Sequence, residues 1–412
     1  MTPHGPARLL LPAGVDVAVA PLLVGRALRA FADGYVAVLL PAYLLALGFD
    51  QFDVGVLSTS TLAGSAAATL AVGLIGHRWA SRSLLRGAAV LMAATGLAFA
   101  GLSAFWPLLL VAFIGTLNPS SGDMSVFLPL EHARLAQAAR ADARTALFAR
   151  YSLTGSLSAA VGALAAALPP WLAANAGVPL LTGLRAMFVL YAVIGAAVWS
   201  LYRGLPQGGE EATAPPAAPL GPSRGIVFRL AALFSVDAFA GGLVVNSLMS
   251  LWLFERFGLS LAQAGAFFFW TGMLAAGSQL AAPLVARKIG LLNTMVFTHI
   301  PANVCLILAA LSTSLPVALA LLFVRSALSQ MDVPTRTAFV MAVVTPAERA
   351  AAASFTAVPR SLASAASPTL AGALLAAGWL SAPLVACGAI KIGYDLALLV
   401  AFRRQQPPAD PG

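Results

Sequence analysis

The sequence predicts an all-α membrane protein with twelve transmembrane helices in two pseudo-symmetric six-helix halves. Three observations carry that expectation. The 412 residues are 60% hydrophobic and only 9% charged, against roughly 25% charged in soluble domains. The apolar residues gather into runs of about 20, the length that crosses a bilayer as helix. Finally, landmarks of the first half return in the second. The turn Gly48-Phe49-Asp50-Gln51-Phe52-Asp53-Val54-Gly55 reappears as Gly258-Leu259-Ser260-Leu261-Ala262-Gln263-Ala264-Gly265, both end glycines displaced by 210 (258 − 48 and 265 − 55). Arg150 and Gly162 find Arg360 and Gly372 at the same displacement, while Pro107 and Asp123 find Pro316 and Asp332 at 209.

In chain order the expected spans are 22–46, 54–76, 84–103, 107–129, 146–168 and 181–202, then 227–252, 262–285, 291–312, 315–337, 351–377 and 383–402. The first run, from near Pro21 to Leu47, is too long for a signal-peptide core, and Met1–Pro12 lacks a basic region and cleavage site. Between the sixth and seventh spans, residues 203–226 form a polar linker containing Gln207-Gly208-Gly209-Glu210-Glu211 and Ala214-Pro215-Pro216. That composition suits a flexible connector. The halves are therefore 1–202 and 227–412.

Basic residues fall in alternate loops. Arg78, Arg82 and Arg86 follow span two, and Arg134, Arg140 and Arg144 follow span four. Arg203 and Arg224 lie in the linker, Arg287 and Lys288 after span eight, Arg349 after span ten, and Arg403 and Arg404 after span twelve. The opposite loops hold Arg256 alone. Positive charge stays on the cytoplasmic side, so both termini and the linker are expected there.

Other classes of function find no footing. The net charge of +9 is spread between apolar segments instead of forming the stripe or patch that binds nucleic acid. Cys305 and Cys387 are far apart in apolar runs, which suits buried thiols and not a disulfide or metal site. HExxH, a phosphate-cradling glycine loop and Ser/His/Asp spacing are all missing, so neither an enzyme nor a metal or other cofactor is expected.

Two six-helix halves joined by a cytoplasmic linker resemble the major facilitator superfamily across essentially the whole chain. After span two, Gly73-Leu74-Ile75-Gly76-His77-Arg78-Trp79-Ala80-Ser81-Arg82 is similar to the family's GxLaDRxGRR loop. Gly73, Arg78 and Arg82 match; His77, Ala80 and Ser81 depart from it. The second copy, Pro283 to Leu292, keeps Lys288 and Gly290 but has Arg287 in the acidic position. Pro346-Ala347-Glu348-Arg349 looks like the PxER that precedes span eleven. The resemblance implies that spans one, four, seven and ten line a central cavity, with three, six, nine and twelve peripheral. It also implies a cytoplasmic lock at the degenerate loop. Arg78 with Asp123 and Lys288 with Asp332 are the substitute pairs expected for that gate, with a substrate or proton role for the two aspartates as the alternative.

Charges near mid-membrane are costly and mark pathways. In span one, Arg29 and Asp33 are one turn apart and expected to pair; at about 1.5 Å per residue Asp33 lies near the bilayer centre. Burial favours its neutral form and a neighbouring arginine its charged form, which suits proton exchange. Asp237 in span seven and Arg325 in span ten lie at similar depth and are expected to form a pair or complete a polar site. Asn118 in Asn118-Pro119-Ser120-Ser121-Gly122 is expected to line the substrate cavity with Asp33, Arg29, Asp237 and Arg325, and the prolines there and at Pro334, Pro359 and Pro368 mark bends or hinges. In peripheral spans, Lys391 and Asp395 are expected to neutralise each other, His299 and Asn303 to serve packing, and Arg185 to snorkel.

The expected function is proton-coupled export of a small molecule across a bacterial cytoplasmic membrane by a monomer embedded in the lipid bilayer, with Asp33 as the proton carrier. Uptake of an anionic metabolite bound by Arg29 and Arg325 is the alternative, and a transport-inactive receptor or assembly factor a third.

Overall fold

The computed structural model describes residues 11–12, 15–120, 125–206, 221–345 and 348–403. These residues are nearly all helical and fall into two compact units. The first comprises residues 1–49, 60–211 and 260–269; the second comprises 50–59, 212–259 and 270–412.

In the order of the chain, the helices of the first half are α1 (Ala20–Ala46), α2 (Gln51–Ile75), α3 (Ser81–Gly101), α4 (Phe105–Ile114), α5 (Phe127–Ala138), α6 (Ala141–Leu164), α7 (Leu168–Ala176) and α8 (Leu180–Arg203). Those of the second are α9 (Arg224–Gly242), α10 (Asn246–Phe257), α11 (Leu261–Ile289), α12 (Leu291–Leu311), α13 (Leu315–Ser329), α14 (Asp332–Val343), α15 (Arg349–Ala366), α16 (Pro368–Ala376) and α17 (Ala382–Phe402). In the first unit α1 packs on α6 and α3 on α8; in the second the equivalent pairs are α9 on α15 and α12 on α17. Close approach of α3 and α8 depends on absent side chains. A Cβ on Gly96 would stand 2.6 Å from the Phe188 carbonyl, and one on Gly195 would stand 2.7 Å from the Ala93 nitrogen. Small residues at a helix crossing are how membrane helices gain packing energy where lipid offers no hydrophobic drive.

Ten helical stretches among the described residues are long and apolar enough to cross a membrane. The expected fourth and eleventh spans are not among them, and both are broken. Span four stops at Ile114; Gly115 is extended, and the Asn118 Oδ1 closes a turn by accepting from the Ser120 N–H (3.0 Å) and hydroxyl (2.7 Å). Unwinding frees backbone groups that lipid cannot satisfy. Tyr191 of α8 meets that need, donating to the Thr116 carbonyl at 3.0 Å. Span eleven breaks at Ser367, since the ring of Pro368 cannot continue the hydrogen-bond ladder. Within the second unit the Ser367 hydroxyl donates to the Phe239 carbonyl at 2.5 Å, and Thr59 Oγ1 caps the Thr369 N–H at 3.0 Å. Pro359 lies inside α15 without ending it.

The duplicated turn has one physical basis in both copies. Gly48 and Gly258 have φ of +91° and +65°, the left-handed region that favours glycine. Each is followed by a reciprocal cap. Asp53 N–H donates to the Asp50 carboxylate at 2.9 Å while Asp53 accepts from the Asp50 N–H at 3.3 Å. Gln263 and Ser260 make the same exchange at 3.3 and 2.9 Å. This is a capping box, satisfying donors that a helix N-terminus would leave open.

Elsewhere the repeat register differs from the 209 and 210 read in the sequence, so that Asp332 corresponds to Phe127 and not to Asp123. Helices α5 and α14 bury Phe127, Leu130, Glu131 and Leu135 on one face and Asp332, Thr335, Arg336 and Val340 on the other copy's equivalent face. The displacement is 205 at each position (336 − 131, for example), and Pro129 coincides with Pro334. In the next span Ala159 approaches Gly34 and Ser364 approaches Gly242, again 205 apart (364 − 159). Gly162 therefore corresponds structurally to Ser367 and not to Gly372, because contact with the first helix of the half, not residue identity, fixes the register.

Candidate functional site

Among the described residues, each unit buries a cluster of charges. In the first, Arg29 of α1 forms a bidentate pair with Glu131 of α5, both N···O distances 2.7 Å. Glu131 is 0% exposed and Arg29 4%. Such a pair survives burial only when its remaining hydrogen-bonding capacity is filled. Here it is: Tyr202 of α8 accepts from Arg29 at 2.5 Å and donates to Glu131, and Tyr151 of α6 donates to the same carboxylate. The Arg29 guanidinium also lies 4.0 Å above the Phe127 ring. Arg26 stands over Tyr151 at 5.2 Å. Asp33 is half-buried, within the electrostatic reach of Arg26 and Arg29.

In the second unit, Asp237 of α9 binds Lys391 of α17 at 2.5 Å through one oxygen and Arg336 of α14 at 3.1 Å through the other. Arg336 reaches back one turn to Asp332 at 3.2 Å. Two carboxylates and two cations thus neutralise one another. Beside them, Nδ1 of His299 on α12 lies 3.0 Å from both oxygens of Asp395 on α17.

Several expected pairings are corrected by these contacts. Arg29 directs its hydrogen bonds to Glu131 and Tyr202 and not to Asp33, because a carboxylate on a facing helix accepts both nitrogens in one plane, a geometry the same-helix spacing does not supply. Asp237 takes Lys391 and Arg336 instead of Arg325. Arg325 lies on α13, where its buried Nε has no hydrogen-bond partner among the described residues; matched depth did not put it on the right face. Lys391 and Asp395 do not neutralise each other, since each faces a different helix. Asp332 pairs with Arg336, one turn along α14, while Lys288 is exposed at the end of α11. Of the other gate pair, Arg78 is exposed in a short 3-10 turn and Asp123 lies outside the described residues. Asn118 is buried at the break of span four. Arg185 donates to the Ser103 hydroxyl at 2.7 Å.

Glu131 and Arg336 escaped the sequence reading. Glu131 follows the expected end of span four, and Arg336 sits at the expected end of span ten, so both read as loop-side charges. The available signal was Pro129 and Pro334, each followed two residues later by a charge. A separate cavity of about 250 Å³ in the first unit is lined mainly by apolar residues of α2, α3 and the broken span, among them Val72, Leu84, Leu91 and Leu130. It carries no ionisable group and is apart from the chemistry of the two clusters.

Two helical units, each built round the same helix pairs and each joining its first helix to its fourth span by a buried ion pair, define a duplicated membrane carrier fold. The family profile described as Major Facilitator Superfamily matches residues 22–331, and the chain belongs to that family. It is 23% identical over 410 residues to an uncharacterized membrane protein of Saccharomyces cerevisiae, covering 91% of this chain and 92% of that one. Among solved structures it is similar in fold to the nucleoside transporter NupG, with a TM-score of 0.71, 14% identity, and coverage of 94% of this chain and 99% of that one. A bacterial homologue of the human lysosomal transporter Spinster gives a TM-score of 0.68 at 14% identity, covering 97% and 96%.

Proposed function

We propose that the chain is a twelve-span secondary active transporter that exports a small molecule by alternating access, coupled to protons. Spans four and eleven count as crossings in this reading, each made of two shorter helices. The halves are 1–202 and 227–412, the linker 203–226 and both termini are cytoplasmic, and the membrane is a bacterial cytoplasmic membrane. The distribution of arginine between alternate loops supports the orientation.

The observation that carries the coupling assignment is the difference in exposure among the carboxylates of the two halves. Both oxygens of Glu131 are held by Arg29 and two tyrosines, and both oxygens of Asp237 by Lys391 and Arg336. Asp33 is half-buried on the same helix as Arg29. A proton carrier must meet water on each side in turn, and Asp33, half-buried where Glu131 and Asp237 are buried, suits that role better. In reconstituted vesicles with an identified substrate and an imposed pH gradient, Asp33→Asn is expected to remain folded and to lose gradient-driven transport. Intact proton-driven transport in that variant would falsify the assignment.

A second reading, uptake of an anionic metabolite, draws on Arg325, whose buried Nε has no partner among the described residues. An anion would supply one. Arg325→Ala should then raise the substrate concentration needed for half-maximal uptake; an unchanged value sinks this reading.

A further inference from the structure

Four arginines converge where α3 begins and α8 ends. Arg82 and Arg86 leave the first two turns of α3, Arg203 ends α8, and Arg134 lies on α5. Arg82 donates to the Arg203 carbonyl at 2.5 Å, and Arg134 to the Pro206 carbonyl at 2.5 Å. The guanidiniums of Arg86 and Arg203 both stand 5.0 Å from the centre of the Trp199 ring. Among the described residues, the side-chain partners recorded for these four are main-chain carbonyls and an aromatic ring, with no carboxylate. Burial, and next the charge of Arg82, hold Arg134 below the ordinary guanidinium range.

Donors are also left over. Nε of Arg82, Nε of Arg86, Nη1 of Arg134 and the hydroxyl of Ser81 are buried without a hydrogen-bond partner among the described residues. Ser81 opens α3, a helix whose N-terminus has no side-chain cap, and an uncapped N-terminus presents N–H groups and a partial positive charge to an anion. Like charges gathered with buried donors unmade are unfavourable unless an anion completes the set. The position selects the anion. Trp79, 51% exposed, stands two residues before α3, and tryptophan favours the headgroup level of a bilayer. A phosphate held at that level belongs to lipid, and basic pockets at helix ends are suited to such headgroups.

We propose that Arg82, Arg86, Arg134 and Arg203 bind the phosphate of an anionic phospholipid. The proposal does not depend on what the chain transports. The full-length protein, purified in detergent, would be supplied with phosphatidylglycerol or phosphatidylcholine at equal mole fraction, and with inorganic phosphate in a third arm. Retained lipid is read by native mass spectrometry and stability by thermal unfolding. Phosphatidylglycerol should be retained several-fold more than phosphatidylcholine and raise the Tm, and Arg82→Ala/Arg86→Ala should remove both effects. If that double variant does not fold, Arg203→Ala, at the exposed end of α8, should lower retention by itself. Equal retention of the two lipids, unchanged retention in the variants, or the full Tm shift with inorganic phosphate alone would each overturn the proposal.

Discussion

Glu131 and Arg336 occupy the same position of the repeat, the fifth residue of α5 and of α14, and carry opposite charges. Their partners invert with them. Arg29 and Asp237 lie at equivalent depth on α1 and α9, 208 apart (237 − 29), as do Gly34 and Gly242. Each half therefore ties its first helix to its fourth span by the same bridge with its polarity reversed. The bridge is a conserved geometry of the duplication within this chain, whereas the sign of its charges is not.

The Arg29–Glu131 bridge should behave as a unit. Glu131→Ala leaves a guanidinium buried without its counter-charge, at a cost on the order of 3–5 kcal/mol. Arg29→Met/Glu131→Met should cost less than either single change. Thermal unfolding of the three purified variants measures this, and additive losses would show that the two residues act independently.

Lys391 should couple energetically to Asp237 and not to Asp395. Contacting residues show interaction energies of about 0.5–3 kcal/mol in double-mutant cycles. A cycle on Lys391→Met and Asp237→Asn is expected in that range, with one on Lys391→Met and Asp395→Asn near zero. The reverse outcome would restore the same-helix pairing expected from spacing.

Glu348 gives a pH signature outside the membrane. Its carboxylate accepts from the Gly221 N–H, the Ser223 N–H at 3.3 Å and the Thr345 hydroxyl at 2.6 Å; the side chains of Ser223 and Thr345, and next the Gly221 N–H, lower its pKa to about 2. The unfolded value is about 4.3. A depressed carboxylate pKa stabilises the fold fully above the unfolded value, and that stabilisation is lost as pH falls through the folded one. The Tm gap between the native protein and Glu348→Gln should be widest near neutrality and close as pH falls from about 4.3 to about 2. A gap independent of pH would mean that Glu348 acts through shape and not charge.

Topology is open to a direct chemical test. With Cys305 and Cys387 replaced, single cysteines at Gln207 and Asp50 should react with a membrane-impermeant reagent from opposite sides. Labelling of both from outside would rule out the twelve-span arrangement.

The fold was legible because its signals are collective. Runs of about twenty apolar residues survive any local ambiguity, and the Gly48 and Gly258 turns carry both a backbone demand and a cap. The partners within each cluster were not legible. Depth along a helix follows from counting residues, but Asp237 could be matched with Arg325 on depth alone while Lys391 and Arg336 held the facing positions. Spacing of four similarly identified Arg29 with Asp33, and Lys391 with Asp395, as neighbours, and both basic residues turned to other helices. The broken spans were half visible. Asn118-Pro119 and Pro368 announced interruptions, but nothing in the sequence named Tyr191 or Thr59 as the groups that satisfy the opened backbone.

The inverted bridges have an electrical consequence. A unit charge carried through a membrane potential exchanges about 2.3 kcal/mol per 100 mV, yet a bridge whose two ends travel together carries none. Arg29 with Glu131, and Asp237 and Asp332 with Arg336 and Lys391, are voltage-silent cargo, however far their helices tilt. Any dependence of turnover on membrane voltage must then enter through charges outside these closed sets, Arg26, Asp33, Arg325 and Arg360 among them, or through the transported species itself.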